Sequence, residues 1–432
     1  MKKFLFMLGC LGLLFGLIAC SSESSTDNGD TGGSGDDGGS GDPEEVELTM
    51  WLWPGMGLDE KIAEYQELNP HIKINVQEAE YSDHHTNLLT VLGAGSGAPD
   101  IAGVEQGHLQ RFKEFPEQFH NLLDFGAADI KDDFLEWRWR EASSPDGEFV
   151  FGVPTDVGPM AMAYRIDIFE EAGLPTDPDE VSAKLSTWED YIAAGRQVKE
   201  RTGSNMYNFI GDMFNATREQ GELQYFDAEG NLIIEESELI RRAWDLSIES
   251  IDIHNNTPRG EAEWGAALAA GDFATVFLPP WMLQNIKNNA PDTAGLWNIA
   301  LMPEGSGNWG GSLLTLPKQG EHPQEAYDFI SWLMSPENQL DIFKTYGNFP
   351  STPSIYDDPA VQNHADEFFN RDDLGAIFSE AAQLVDFVYR SPDTGTINTI
   401  MGDALTTVAD GQATPEEAWD NAMQEVRRQI SR

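Results

Sequence analysis

Val46-Glu47-Leu48-Thr49-Met50-Trp51-Leu52-Trp53 has the apolar, β-branched and aromatic residues of a strand and is followed by a proline–glycine pair. Residues 58–68 then carry apolar side chains near helical spacing, and the alternating stretch 71–76 predicts a second strand. A further helix is expected around residues 84–92, and residues 99–104 predict a third strand. The order strand, helix, strand, helix, strand indicates an α/β fold with a largely parallel sheet.

A glycine cluster, Gly93-Ala94-Gly95-Ser96-Gly97, lies between the second helix and the third strand. Dinucleotide-binding glycines follow a strand and open a helix, so that the helix N-terminus faces the pyrophosphate. Here the glycines close a helix and precede a strand. They therefore predict a helix C-cap and turn, and they argue against nucleotide binding.

Later helix starts are predicted from residues that satisfy free backbone N–H groups. Ser186-Thr187-Trp188-Glu189 is a predicted capping box that opens a helix over residues 188–199. Ser335 is expected to cap a helix that begins with Pro336. Thr414-Pro415-Glu416-Glu417 is expected to cap the last helix of the chain.

The N-terminal segment has the pattern of an export signal. Two lysines precede an apolar run over residues 4–19, which is too short for a comfortable membrane span. Leu17-Ile18-Ala19-Cys20 resembles a lipobox, so residues 1–20 are predicted to be a lipoprotein signal with Cys20 as the lipidated residue. The alternative is an ordinary cleaved signal whose cysteine is incidental. Residues 21–45 are rich in Gly, Ser and acidic residues and predict a flexible acidic tether.

Composition excludes several classes of partner. The chain has 74 acidic and 26 basic residues, a formal net charge of −48. Such a surface repels nucleic acid phosphates and anionic lipid headgroups, so we expect no nucleic acid partner and membrane contact only through the lipid anchor. Cys10 and Cys20 are the only cysteines, so the mature body is expected to have no disulfide. From residue 46 onward the chain is longer than one hydrophobic core usually serves, which favours two lobes.

Several short motifs occur in a fixed order along this body. They are Leu48-Thr49-Met50-Trp51, Leu68-Asn69-Pro70, Gly95-Ser96-Gly97-Ala98-Pro99-Asp100-Ile101, Gly152-Val153-Pro154-Thr155-Asp156, Thr187-Trp188-Glu189-Asp190-Tyr191, Gly271-Asp272-Phe273-Ala274-Thr275-Val276 with Pro280-Trp281, Trp309-Gly310-Gly311, Ser335-Pro336-Glu337 and Gly347-Asn348-Phe349-Pro350. In this order the chain resembles the extracellular solute-binding proteins of sugar importers, the group that includes maltose-binding protein.

The resemblance implies an α/β fold of two lobes, a clamp like that of periplasmic binding proteins, in which each lobe is a sheet flanked by helices. Several segments are expected to cross between the lobes, near residues 156–159, 303–309 and 348–352. The resulting prediction is a lobe 1 of residues 46–156 and 309–348 and a lobe 2 of residues 157–308 and 349–432.

The resemblance also implies a function. We expect a lipid-anchored monomer on the extracellular face of the membrane that captures a carbohydrate, a neutral mono- or oligosaccharide, between its lobes. It would deliver this ligand to the permease subunits of an ABC transporter, without a cofactor and without catalysis. The alternatives are a carbohydrate-sensing or adhesive surface lipoprotein and a secreted glycan-active enzyme.

Aromatic residues are the first candidates for sugar contact, because an indole ring packs against the apolar face of a sugar. Trp281 follows Pro280 at a strand-to-helix corner, and the resemblance places it at the position of a sugar-stacking tryptophan. Trp309 precedes two glycines that would let the backbone approach a ligand. Trp51 and Trp53 share one face of the first strand. For each of these, plain packing in the core is the alternative.

Polar candidates would bind the sugar hydroxyls. Asp156 lies at the first expected crossing, where its carboxylate would accept from two hydroxyls, although it could instead form a hinge hydrogen bond. Glu105 and Gln106 follow the third strand, where open α/β sheets bind ligands, and we expect one or the other in the site. Asn348, at the last crossing, is a candidate for either ligand or hinge contact.

Three further polar residues are weaker candidates. Asp212 and Asn215 follow Asn208-Phe209-Ile210, a region that the resemblance associates with ligand contacts. Arg390 follows Phe387-Val388-Tyr389 and is the one candidate that would favour an anionic ligand.

Enzyme signatures are mostly missing from the sequence. There is no helical His-x-x-x-His pair with a glutamate, no Gly-x-Ser-x-Gly elbow after a strand and no cysteine in the body. His84 and His85 are adjacent in sequence and are expected to point away from each other on a helix, so we expect no zinc pair. Carboxylates are numerous enough that a glycosidase pair stays open on sequence alone.

Overall fold

The computed structural model describes residues 44–430, and the predicted signal, Cys20 and nearly all of the predicted tether lie outside this range. No helix within the described range is long and apolar enough to cross a membrane. The described strands are β1 (Val46–Leu52), β2 (Ile72–Glu78), β3 (Ile101–Glu105), β4 (Gly152–Pro154), β5 (Ala161–Arg165), β6 (Asn205–Tyr207), β7 (Phe273–Leu278), β8 (Trp297–Ala300) and β9 (Ser312–Thr315).

Helices surround these strands. The helices are α1 (Asp59–Leu68), α2 (Tyr81–Ala94), α3 (Gln106–Lys113), α4 (Glu136–Ala142), α5 (Ile166–Ala172), α6 (Pro178–Lys184), α7 (Trp188–Thr202), α8 (Ile210–Arg218), α9 (Glu238–Glu249), α10 (Ala262–Ala270), α11 (Leu283–Asn289), α12 (Pro323–Leu333), α13 (Pro336–Tyr346), α14 (Pro359–Gln362), α15 (Leu374–Gln383), α16 (Thr394–Ala409) and α17 (Pro415–Ile430).

The strands form two sheets. The first has the order β2-β1-β3-β9-β4, with β1 parallel to both β2 and β3. The predicted parallel character is confirmed for these three strands, whereas β9 runs antiparallel to both β3 and β4. The second sheet is mixed, with the order β6-β7-β5-β8. Its strand β7 is buried along its whole length, as expected for a strand with helices on both faces.

Helix ends show which local predictions hold. Gly95 ends α2 in the left-handed conformation (φ 73°), so the predicted C-cap is confirmed. The capping box before α7 is shifted by one residue, because the Thr187 hydroxyl and not that of Ser186 accepts from the backbone N–H of Asp190. Ser335 precedes α13 without a side-chain cap, whereas Thr414 and Glu417 form the predicted reciprocal pair before α17.

Each sheet has its own apolar core. Leu48 and Met50 of β1 are fully buried in the core of the first sheet, and Val276 belongs to a core on one face of the second. The segment around α4 contributes to both cores. Trp139 packs on the first-sheet side, and Trp137 packs on the second-sheet side, where its indole N–H donates to the carbonyl oxygen of Ala382 (3.1 Å).

Three segments run side by side where the chain passes between the sheets. The Val157 N–H donates to the carbonyl oxygen of Phe349 (2.9 Å), and the Trp309 N–H donates to that of Gly158 (2.8 Å). Two of these three segments connect strands of different sheets: one runs from β4 to β5 and the other from β8 to β9. The two-lobed α/β fold predicted from the resemblance is confirmed, and the exact limits of the lobes stay a prediction.

Candidate functional site

A cavity of about 480 Å³ lies against the three paired segments, at the carboxyl end of β3 and next to the loop after β1. Its size is typical of small-molecule sites. Residues from both sheet-bearing halves and from the paired segments form its walls: Trp53, Pro54, Gly55, Met56, Leu58, Tyr81, Glu105, Thr155, Asp156, Trp281, Trp309, Gly310, Gly311, Ser312, Met334, Gln339, Ile342, Asn348 and Pro350.

Trp281 presents an exposed ring to this cavity. A short 3₁₀ turn, Pro280–Met282, follows β7 and turns the side chain out of the second-sheet core. Trp281 is 42% exposed, and every other tryptophan of the described residues is buried or half-buried. Its indole N–H donates to the carbonyl oxygen of Trp309 (3.0 Å), so the ring is held in place while its face remains open.

Trp309 is more enclosed. Its ring meets Trp281 nearly edge to face, with centroids 5.6 Å apart and an interplanar angle of 81°. The guanidinium of Arg259 lies 4.0 Å from the Trp309 ring centroid and is paired with Asp212 (2.8 Å). The arginine stacks on the indole, so only the rest of Trp309 is available to a ligand.

Asp156 brings a carboxylate to the wall formed by the paired segments. Its Oδ1 accepts from the Thr155 hydroxyl (2.6 Å) and from the Ser312 N–H (3.0 Å). Its Oδ2 has no hydrogen-bond partner among the described residues. Burial of the carboxyl group raises its pKa, despite the opposing effects of the Thr155 hydrogen bond and the nearby Arg138 charge. A sugar hydroxyl placed near Oδ2 would therefore donate to an acceptor that has no donor among the described residues.

The Glu105 carboxylate has the same arrangement and lies beside Gly310. Its Oε2 accepts from the Tyr81 hydroxyl (2.7 Å) and from the Gly107 N–H (2.6 Å), which caps α3. Its Oε1 has no partner among the described residues. Burial raises the pKa of this carboxyl as well, against the Tyr81 hydrogen bond. The cavity thus has two carboxylates, each with one oxygen fixed and one oxygen free.

Asn348 connects the cavity to the loop after β1. Its amide N–H donates to the carbonyl oxygen of Met56 (2.8 Å), which holds this loop against the segment that follows α13. Asn348 also lines the cavity, so the geometry accommodates both roles that were predicted for it.

Four other predicted residues are placed differently. Trp51 is half-buried in β1, opposite Gln77 and Ala102, and is not among the residues that line the cavity. Gln106 is buried with both ends of its amide in use, since it donates to Glu141 (2.7 Å) and accepts from the Gly310 N–H (3.1 Å). Of the pair Glu105 and Gln106, only Glu105 has a free oxygen facing the cavity.

Asp212 and Arg390 are also engaged within the protein. Asp212 accepts from Asn208 (2.6 Å) and from Arg259, and Arg390 pairs with Glu219 (2.7 Å). Both, together with Asn215, line a second cavity of about 390 Å³ that shares Tyr81, Glu105 and Trp309 with the first.

The two glycines after Trp309 line the cavity and also have a packing role, while their predicted role in approaching a ligand stays a prediction. Gly310 and Gly311 both have φ +94°, a conformation that favours glycine. A Cβ atom at Gly311 would lie 2.5 Å from the carbonyl oxygen of Asp156, and one at Gly310 would lie 3.1 Å from the Trp281 indole nitrogen. The glycines therefore let the paired segments approach each other and shape the cavity.

The sequence did not single out Tyr81, which lines both cavities and is 38% exposed. The predicted helix began too late, whereas α2 begins at Tyr81 itself. Helical spacing then places Tyr81, His84 and His85 on one face, at i, i+3 and i+4. A prediction that began the helix at residue 81 would therefore have grouped Tyr81 with the two histidines.

The prediction that His84 and His85 point away from each other is wrong. Their ring centroids are 4.8 Å apart, and both rings pack against Trp53, with centroid distances of 5.1 Å and 5.0 Å. Each donates to a backbone carbonyl, His84 to Gly103 (2.7 Å) and His85 to Tyr81 (2.8 Å). Neither histidine lines the cavity.

Comparison with known proteins finds relatives that cover most of this chain. The chain is 29% identical over 417 residues to an arabinooligosaccharide-binding protein of Halalkalibacterium halodurans, covering 88% of this chain and 89% of the relative. It is 26% identical to an arabinooligosaccharide-binding protein of Bacillus subtilis, covering 99% of this chain and 100% of the relative. A crystal structure of an extracellular solute-binding protein of family 1 superposes with a TM-score of 0.85 at 34% identity, covering 89% of this chain and 99% of that one.

A family model described as bacterial extracellular solute-binding protein matches residues 60–370. The match includes the second sheet, every strand of the first sheet except β1, and most of the cavity lining, and it agrees with the resemblance inferred from the ordered motifs. Members of this family bind solutes and are not enzymes. The chain belongs to the bacterial extracellular solute-binding protein family.

Proposed function

We propose that the cavity between the two sheet-bearing halves captures a neutral oligosaccharide and that the protein delivers it to the permease of an ABC importer. The observation that carries this proposal is the exposed ring of Trp281 beside two carboxylates, Asp156 and Glu105, that each have a free oxygen. An indole face and two hydroxyl acceptors complement the apolar C–H face and the hydroxyl rim of a sugar ring.

The charges around the cavity support a neutral ligand. None of the described residues that line the 480 Å³ cavity is a lysine or arginine. The nearby cations are paired inside the protein: Arg259 with Asp212, Arg390 with Glu219, and Arg138 with Glu141. A uronate or phosphate group would meet the two carboxylates without a compensating cation, which costs binding energy.

The names of the relatives suggest the kind of sugar to try first. Two of them are arabinooligosaccharide-binding proteins, so arabinose-containing oligosaccharides are the first probes for this chain. We further propose that Trp281, Asp156, Glu105 and Asn348 contact the sugar, with Trp53 and Trp309 completing the aromatic wall. Anchoring through a lipid on Cys20, action as a monomer and partnership with two permease subunits complete the proposal.

Calorimetric titration of the purified protein with arabino-oligosaccharides of increasing length tests this function. We expect saturable binding with one ligand per protein molecule and without turnover of the sugar. An otherwise identical oligosaccharide that carries a uronic acid should bind at least about tenfold more weakly, because the like charges are desolvated together. Equal or tighter binding of the acidic sugar would contradict the neutral-ligand proposal, and release of shortened products would indicate an enzyme.

A further inference from the structure

A stack of histidines lies directly behind the candidate sugar site. His85 of α2 is 2% exposed, and its ring is stacked on that of His108 with centroids 4.0 Å apart and an interplanar angle of 10°. On another side it packs against Trp53, which lines the cavity. His85 itself does not line the cavity, so any effect on the ligand must act through other residues.

The two ring nitrogens of His85 have different partners. Nδ1 faces the carbonyl oxygen of Tyr81 (2.8 Å), which can only accept, so Nδ1 carries the proton. Nε2 accepts from the backbone N–H of Glu105 (3.1 Å). These two contacts require the neutral ring with its proton on Nδ1. Burial lowers the pKa of His85 to about 3, so this form persists at ordinary pH.

The bond to Glu105 joins His85 to the cavity wall. Glu105 is the last residue of β3 and the N-cap of α3, so its backbone orientation determines where its carboxylate points. The tyrosine whose carbonyl orients His85 also donates its hydroxyl to the Glu105 carboxylate (2.7 Å). Tyr81, His85 and Glu105 therefore form a closed set of three hydrogen bonds, two of them to the backbone.

We propose that His85 is a positioning residue for ligand binding, which fixes the Glu105 carboxylate through the backbone N–H. The proposal rests on the proposed sugar site for its effect on affinity, but its structural part concerns the free protein alone. Without the acceptor at Nε2, the Glu105 N–H lacks a partner and the turn into α3 can shift. A shift of the carboxylate changes its bond to the sugar hydroxyl.

The chain offers a matched control in His84. It is the preceding residue of α2, it is equally buried at 2%, and it also packs on Trp53 and bonds to the backbone of β3. Its partner is the carbonyl oxygen of Gly103 and not a residue that lines the cavity. Both His85→Phe and His84→Phe keep an aromatic ring beside Trp53 and remove a bond from the imidazole to a backbone carbonyl oxygen, but only His85→Phe also removes the bond from the Glu105 N–H.

The test compares three variants for affinity and for amide exchange. For an arabino-oligosaccharide, His85→Phe should raise Kd about tenfold, while His84→Phe should stay within about threefold of wild type. His85→Gln, whose amide oxygen can accept from the Glu105 N–H, should recover most of the affinity. Equal Kd values for His85→Phe and His84→Phe would overturn the proposal.

Hydrogen exchange of the Glu105 amide provides a second measurement that needs no ligand. We expect this amide to be protected in wild type, His84→Phe and His85→Gln and to exchange faster in His85→Phe. If the Glu105 amide is equally protected in His85→Phe, the inference is wrong whatever the sugar. If no sugar binds to the wild type while the exchange pattern holds, the proposed function fails and the positioning of Glu105 by His85 stands.

Discussion

Replacing Trp281 with alanine tests whether this tryptophan binds the ligand or mainly stabilises the fold. The residue is 42% exposed. For an indole side chain of roughly 250 Å², this corresponds to an open area of about 100 Å². At about 25 cal/mol per Å², covering that area with a sugar stabilises the complex by up to about 2.5 kcal/mol. Because a sugar ring covers only part of the indole, we expect Trp281→Ala to weaken binding by about 1–2 kcal/mol, or roughly 5- to 30-fold in Kd.

The same change should cost the fold less than the loss of a fully buried tryptophan. The variant loses the hydrogen bond to the carbonyl oxygen of Trp309, an edge contact and the buried part of the indole, which together contribute about 2–3 kcal/mol to the free energy of unfolding. Trp297 of β8 provides the control, since it is fully buried and its indole N–H donates to the Thr293 hydroxyl (2.9 Å). Trp297→Ala should cost about 3–5 kcal/mol of stability and leave the affinity of the folded molecules unchanged.

Urea unfolding and calorimetric titration of both variants decide between these roles. The stacking assignment fails if Trp281→Ala loses as much stability as Trp297→Ala while its folded fraction binds sugar as tightly as wild type. Trp309 and Trp53 would then be the next residues to test as the aromatic platform.

Further predictions concern the carboxylates, the buried ion pairs and the anchor. Asp156→Asn should weaken sugar binding by about 1.5–3 kcal/mol, because it removes a charged acceptor, and a titration series measures this. Wild-type affinity should also decrease as the pH falls through the pKa of Asp156, which burial raises above that of a free aspartate, since the ionised form accepts hydroxyl donors better. A flat affinity across the acidic range would contradict this assignment. Burial alone would raise the pKa of Glu219, but Arg390 and Arg218 lower it from 4.5 to about 2. The stability that this group contributes is therefore complete above pH 4.5 and is lost as the pH falls toward 2. Glu219→Gln should lower the free energy of unfolding at neutral pH by about 3–5 kcal/mol. The difference in this free energy between the variant and the wild type should become smaller below pH 4.5, and chemical unfolding at several pH values measures it. A difference that stays constant would refute the role of Glu219. Cys20→Ala should release the protein into the medium if Cys20 carries the lipid, and retention of this variant in the membrane fraction would contradict the anchor.

Local patterns in the sequence predicted the elements that position the site. The alternation in β1 and the glycine that closes α2 depend on neighbours within one element, so they could be inferred without the rest of the chain. The exposure of Trp281 was also predictable in part, because prolines after a buried strand force the chain to turn there. The ordered motifs identified the family and the two-lobed fold.

The sequence could not show which polar side chains have hydrogen-bond partners from distant parts of the chain. Gln106 and Glu105 are equally polar and adjacent, but Gln106 meets the Gly310 N–H, 204 positions away, and Glu141, so its amide is occupied. Arg390 looked available for an anion until Glu219, 171 positions away, proved to be its partner. No local pattern distinguishes a free side chain from one whose partner arrives from the other half of the fold.

A crystal structure of the wild-type protein with a bound arabino-oligosaccharide tests the central claim most directly. The account predicts one sugar ring against the face of Trp281, with hydroxyls within hydrogen-bond distance of Asp156 Oδ2 and Glu105 Oε1. A sugar bound elsewhere on the surface, or in this cavity without contact to Trp281 and either carboxylate, would contradict it.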